Sequence, residues 1–536
     1  MPVGEMSLSR YRLIPILLLA LICAGLLLNG HLVPAGDNAT YLVLGQSLAT
    51  GRGYRMVSDP RAPQMALYPP GYPTVLAGVL ALTGTARNLL AAIVPIKLLS
   101  IGLFLASIAL AYDLLRRRSV ALAVWTALLM AVNPQLLHFA NEVGTEIPFL
   151  FLSLAAIWLL KRAGPEPSDG ATLGLAALLA GAFYVRSIAL VMAVAFALYL
   201  LARRQPRQAL LLVLVTAALA LPWFAYTRSL PSTGTSVGLG RGYFDLFLSS
   251  DPYGTQQATA SELLSRVLLN LRIYAVDIWP DVVFPHASGL ARRFGPIGVA
   301  VPLAISALMG LGFVLEARRW QASEWYVALF FAACAGYLWA QSRLIVPIIP
   351  FALYYFGRAV QSLSDLVLRN RPELRSAAMA LFWLALTASA LWAGLRPIQH
   401  NLRYGFDQPV DTYYARDSEW NRYLQSIRWI TDPSSRPLVV MCRKADLLYV
   451  LTGHQALEYP YSPDGMVLRE AARENQVDYI IEDAFTWTRT TEQYLTPALQ
   501  GWRAQAPGSL VLAYETEAPQ TRVWRVQLQQ TGEKRQ

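Results

Sequence analysis

The sequence predicts a multi-span α-helical membrane protein that ends in a soluble α/β domain, and three observations carry that prediction. The 536-residue chain is 55% hydrophobic and only 15% charged, with a mean hydropathy of +0.37, outside the balance of soluble globular proteins. Before Arg396, apolar runs recur at lengths near those needed to cross a bilayer. From Arg396 onward the runs shrink to strand length and the charge evens out, with 16 Lys and Arg against 17 Asp and Glu.

The formal charge of +11 therefore lies wholly in the apolar part. Its cations cluster between runs, at Arg10 and Arg12, Arg116 to Arg118, Lys161 and Arg162, Arg203 to Arg207, Arg318 and Arg319, and Arg369 to Arg375. That is the pattern of cytoplasmic loops rather than of a nucleic-acid face, so nucleic acid is not expected as a partner. Three cysteines, Cys23, Cys334 and Cys442, are too few and too scattered for a disulfide scaffold or a zinc module.

The apolar runs are 13–28, 89–115, 120–132, 147–160, 171–184, 187–201, 209–226, 296–315, 325–340, 344–356 and 377–395, about eleven spans. With the N-terminus in the cytoplasm, every basic cluster falls on the inner side without inversion. Run 72–82 then stays outside as an interfacial element, and 13–28 is read as a retained first helix, since no convincing small-residue cleavage site follows it. The expected organisation is a transmembrane domain over 1–395, with outer loops at about 29–88, 135–146 and 227–295, and an outer α/β domain over 396–536. Strands are expected at 438–441, 456–459, 477–481, 510–514 and 521–526, and helices at 418–430 and 466–475. This tail is expected to fold separately and to serve an acceptor. The Gly/Ser-rich piece 232–242 contains GLGRG but lacks the flanking strand and helix of a dinucleotide fingerprint, and reads as a loop.

Ionisable groups at the edges of apolar spans are costly, which makes them functional candidates. Asp37 stands in GDNATYL just after the first run, where it reads either as the N-cap of an amphipathic helix or as a site acid. Tyr68 and Tyr72 flank the stiff turn YPPGYP, with rings suited to headgroup depth. Glu146 in TEIPF sits at the mouth of a span, where an acid also suits the positive helix end. Glu142 and His138 lie close by, and a divalent cation between them is left open as a cofactor. Lys97, Arg186 and Arg343 are the cations of the outer side, each a snorkelling anchor or a phosphate ligand. Together they suit deprotonation of an acceptor beside an anionic phosphate leaving group.

Asp37 in GDNATYL, the following YPPGYP, Glu146 in TEIPF and Arg343 in SRLIVPIIPF resemble the GT-C-fold glycosyltransferases, of the bacterial family 39 type related to dolichyl-phosphate-mannose protein mannosyltransferases and the lipid A aminoarabinose transferase. The resemblance spans about residues 13–356, in motif order as well as content. It implies an inverting sugar transfer, at the outer face of the bacterial cytoplasmic membrane, from a polyprenyl-phosphate donor to a glycan, lipid or protein acceptor. Asp37 matches the catalytic acid, Glu146 the second acidic position, and Arg343 the basic residue that approaches the lipid phosphate, with Lys97 and Arg186 in support. A single acid in the first motif, where the eukaryotic protein mannosyltransferases carry a paired Asp-Glu, and the lack of a MIR-type repeat argue against protein O-mannosylation. A polytopic transporter or flippase is the alternative, but repeated halves and midplane helix breaks are not found.

Overall fold

Inside a bilayer each backbone N–H and C=O must be satisfied within its own segment, which leaves the α-helix as the form for these runs. In the computed structural model, which describes residues 12–230, 247–250, 257–406, 408–414, 418–431, 437–487 and 489–527, each of the eleven runs is helical over most of its length, with run 325–340 leaving its helix at Gly336. Arg10 and the piece 232–242 lie outside the described residues.

Among the described residues, five helices are long and apolar enough to cross a membrane: Leu89–Arg116, Pro206–Ser229, Ser288–Ala317, Ser342–Val367 and Pro372–Tyr404. A sixth arises if Val120–Val132 and Pro134–Ala140, bent by 58° at Asn133, are one span. The other runs form helices of at most 17 residues, among them Leu13–Leu27, Glu146–Arg162, Asp169–Val185 and Ala322–Gly336. These need snorkelling flanks to reach both interfaces.

The described parts of 1–29, 96–226 and 243–403 pack into one compact unit, and those of 30–95, 227–242 and 404–536 into a second. The first unit is the helical bundle. Ser288–Ala317 packs on Ile349–Val367, and Leu190–Ala202 on Ala322–Gly336. Ser288–Ala317 breaks at Gly295 (φ 57°, ψ −139°), a backbone state that glycine takes without a Cβ penalty, so the apolar run begins at the break. Asn401 donates to the carbonyls of Leu26 and Leu28 and accepts from Asn29, closing the end of the first helix.

The second unit holds a five-stranded mixed sheet in the order β2-β1-β3-β5-β4, where β1 is Val439–Met441, β2 Gln455–Leu457, β3 Tyr479–Glu482, β4 Leu510–Glu515 and β5 Arg522–Val526. All five expected strands are present. β1 pairs in parallel with β2 and β3, whereas β5 runs antiparallel to β3 and β4. Helices Gly465–Glu474 and Thr496–Gln505 cover a core of Met441, Leu457, Leu468, Ile480, Leu499 and Trp502.

Two boundaries differ from the sequence division. Helix Pro372–Tyr404 carries straight through Arg396, so the α/β part begins at Tyr404. More consequentially, the first outer segment, with helices Asn38–Ala49 and Gly71–Thr83, packs into the same unit as the tail. Asp446, in helix Ala445–Thr452, accepts hydroxyl hydrogen bonds from Thr40 (2.6 Å) and Ser58 (2.7 Å), and the amide of Ala456 donates to the carbonyl of Ser58. The sequence suggests a tail that stands alone; the structure packs it with the first outer segment, whose residues lie some 400 positions away, so sequence distance hides the contact.

Candidate active site

The bundle gathers one cluster around Glu146. This residue opens helix Glu146–Arg162, where the helix dipole favours a carboxylate, and it is only 5% exposed. Arg186 occupies the extended residue between helix Asp169–Val185 and the 3₁₀ turn Ser187–Ala189, and that break lets its guanidinium reach the Glu146 carboxylate at 3.1 Å. Arg343 lies in the 3₁₀ segment Ser342–Ile348, with Nε 3.8 Å from the same carboxylate oxygen and its side chain 34% exposed. Gly144 is the residue that makes room: a Cβ there would stand 2.5 Å from Glu146 Oε2.

Glu142 and His138 pair at 2.8 Å one turn apart, and His138 also feels the charges of Glu146 and Lys97. Lys97 is 1% exposed and donates to the carbonyl oxygen (3.2 Å) and side-chain oxygen (2.8 Å) of Asn29. It therefore stands in the cluster as an anchored charge, within the electrostatic reach of Glu142.

The position of Arg343 depends on residues that carry no signal in the sequence. Asn270, buried in helix Ala260–Ile273, donates to the carbonyls of Ala335 and Tyr337 and accepts from the amide of Ala340, pinning the turn that precedes Arg343. Gln135 donates to the carbonyl of Ser342. Within the 227–295 region, Asp281 accepts both the amide and hydroxyl of Ser288, a structural staple.

The second unit builds a different cluster around Asp37. Asp37 starts helix Asn38–Ala49 through its backbone, but its side chain makes no capping hydrogen bond. Instead its Oδ1 accepts the hydroxyl of Tyr68 at 2.9 Å. Tyr41 holds Tyr68 and Tyr72 edge-on, each at 5.2 Å between ring centroids. Lys444, just after β1, donates to the carbonyl of Gly36 at 2.8 Å and places its charge beside Asp37. Burial draws the Lys444 ammonium below the usual lysine range, against the upward pull of Asp37. Burial likewise pushes Asp446 above the usual carboxylate range, against the Thr40 and Ser58 hydrogen bonds. Lys444 is not among the residues expected from sequence, although the Arg443-Lys444 pair directly after an apolar strand was the available signal.

The structure thus brings together Glu146, Arg186 and Arg343, with Glu142, His138 and Lys97 adjoining, in the bundle. It brings together Asp37, Tyr68 and Tyr72 in the second unit. Among the described residues no group of three or more His, Cys, Asp or Glu side chains stands at metal-holding geometry.

Residues 68–226 match the family described as dolichyl-phosphate-mannose-protein mannosyltransferase. That stretch contains Tyr68, Lys97, Glu146 and Arg186 of the two clusters. The archaeal oligosaccharyltransferase AglB from Archaeoglobus fulgidus, solved with an inhibitory peptide and a dolichol-phosphate, is similar at a TM-score of 0.56 and 10% identity, over 98% of this chain and 75% of that one. ArnT from Cupriavidus metallidurans in the apo state is similar at a TM-score of 0.55 and 13% identity, over 95% of this chain and 97% of that one. Its structure bound to undecaprenyl phosphate gives a TM-score of 0.53 and 12% identity, over 98% of each chain. The fold is that of the GT-C membrane glycosyltransferases. No curated protein sequence matches the enzyme. The likeness therefore rests on the fold and on the family match over residues 68–226.

Proposed function

We propose that this enzyme transfers a sugar from a polyprenyl-phosphate carrier to an acceptor hydroxyl at the outer face of the bacterial cytoplasmic membrane, inverting the anomeric carbon. The observation that carries the reading is the state of Asp37. A carboxylate that does not cap its own helix, and is instead oriented by the Tyr68 hydroxyl beside a half-buried lysine, is arranged for proton abstraction rather than for stability.

The chemistry asks for little more. The sugar already carries a good leaving group, so catalysis needs a base for the acceptor, positive charge for the departing phosphate, and in-line positioning. Asp37 is the base. Arg343 meets the phosphate, because its fork can bind two oxygens and it is the more exposed of the two arginines at Glu146. Arg186, paired at 3.1 Å, acts chiefly by orienting Glu146. The dolichol-phosphate and undecaprenyl phosphate held by the similar structures support a lipid-phosphate donor.

The test is incubation of the purified enzyme with radiolabelled polyprenyl-phosphate sugars and, separately, nucleotide sugars. The expected result is sugar transfer or slow hydrolysis from the lipid-linked donor alone. Turnover of nucleotide sugars in its place would contradict the reading.

A further inference from the structure

A second charged feature lies at the ends of the bundle helices remote from Glu146. Helix Glu146–Arg162 runs from the Glu146 cluster to Lys161, which lines a cavity of about 680 Å³. The 15 helical rises from Glu146 to Lys161 span roughly 22 Å, most of the ~30 Å hydrocarbon thickness, so the cavity sits at the opposite headgroup level.

Six cations line it: Arg117, Arg118, Lys161, Arg318, Arg319 and Arg358. Two carboxylates oppose them, and both are fully engaged. Glu324, with 0% exposure, accepts Arg118 at 2.7 Å and the Tyr355 hydroxyl at 3.0 Å. Glu316 takes Arg118 at 3.1 Å and Arg358 at 3.2 Å. Lys161 spends one hydrogen on the Leu114 carbonyl, at 2.8 Å. Among the described residues, the side chains of Arg117, Arg318 and Arg319 make no ion pair or hydrogen bond.

The rule that loops facing the cytoplasm are basic accounts for cations at this level, but not for their convergence from separate helices on one cavity. Cations held around a common void repel one another unless an anion enters it. The volume suits a ligand larger than a bare ion, arginine forks match phosphate oxygens, and Leu115, Ile157 and Leu160 add an apolar wall. We propose that this cavity binds a phosphate group, presented as the head of an anionic membrane lipid.

The full-length enzyme in detergent, titrated with short-chain phosphatidylglycerol, phosphatidylcholine or inorganic pyrophosphate, tests this through its thermal melting. Saturable protection by phosphatidylglycerol over phosphatidylcholine is expected. The triple variant Arg117→Gln/Arg318→Gln/Arg319→Gln leaves the buried pairs intact and should weaken that binding at least tenfold. Arg369→Gln/Arg371→Gln, which removes cations of the neighbouring loop, should leave it unchanged, as should Arg343→Ala, which separates it from donor binding. Saturation by pyrophosphate but not by phosphatidylglycerol would overturn the lipid source in favour of a soluble phosphate. Equal weakening in the triple variant and the loop control would overturn the site, since it would show diffuse surface charge, and so would a lack of saturable binding by any probe.

Discussion

A methyl group added at Gly144 would press directly on the end of the Glu146 side chain. A Cβ at position 144 would meet Glu146 Oε2 at 2.5 Å and lie 3.9 Å from Glu142 Oε2. Gly144→Ala should therefore displace the Glu146 carboxylate and break its pairing with Arg186 and Arg343, leaving buried charge poorly compensated at roughly 1–3 kcal/mol. At least a tenfold loss in kcat/KM is expected, read in the lipid-donor assay, and a normal value would remove Glu146 from the working site. At this scale much was legible. Asp37, Glu146 and Arg343 each stand at the end of an apolar run, where a charge is conspicuous. Asn270 and Lys444 were not legible, because an asparagine in an amphipathic helix and a lysine after a strand are ordinary until the chain folds.

Among the elements, the segment that delivers Arg343 depends on Asn270. Asn270→Leu removes its bonds to Ala335, Tyr337 and Ala340 and strands buried backbone groups at about 1–3 kcal/mol each. The turn before Arg343 should loosen, raising the KM for donor more than it lowers kcat; unaltered donor KM would dissociate the turn from donor binding. In the tail, Asp483 follows β3 and is buried, with Oδ2 lacking a hydrogen-bond partner. Burial pushes its pKa up from 3.8 to about 6, against hydrogen bonds from the Phe485 amide and the Thr491 hydroxyl. Because the folded carboxyl holds a proton that the unfolded one has lost, local stability should fall as pH rises from about 4 to 6, by up to about 3 kcal/mol, and stay low above that. Amide exchange of β3 should show this slope in the wild type and lose it in Asp483→Asn; an identical slope in both would refute the assignment. The elements themselves were largely legible. Five strands and eleven apolar helices follow from period and length, whereas the 3₁₀ turns at Ser187–Ala189 and Ser342–Ile348, which aim two site arginines, leave no such periodic signature.

In the whole molecule, chain order and compact units diverge. Residues 30–95 pack with the part after Tyr404, and Lys444 reaches back to the Gly36 carbonyl, so the tail supports the loop that carries Asp37. Polar side-chain pairs such as Thr40 with Asp446 join residues about 400 apart and have no local pattern from which to be read. The basic clusters predict an orientation with the tail outside. Protease added to intact spheroplasts should remove the tail and spare the loop around Arg203 to Arg207, and a protected tail would reverse the topology. Whether Asp37 is the base of a lipid-phosphate-dependent transfer is decided by single-turnover transfer in Asp37→Asn with donor binding measured in parallel. A rate lower by roughly 10² to 10⁴ is expected, with donor affinity and fold retained. A near-normal rate in that variant would contradict it.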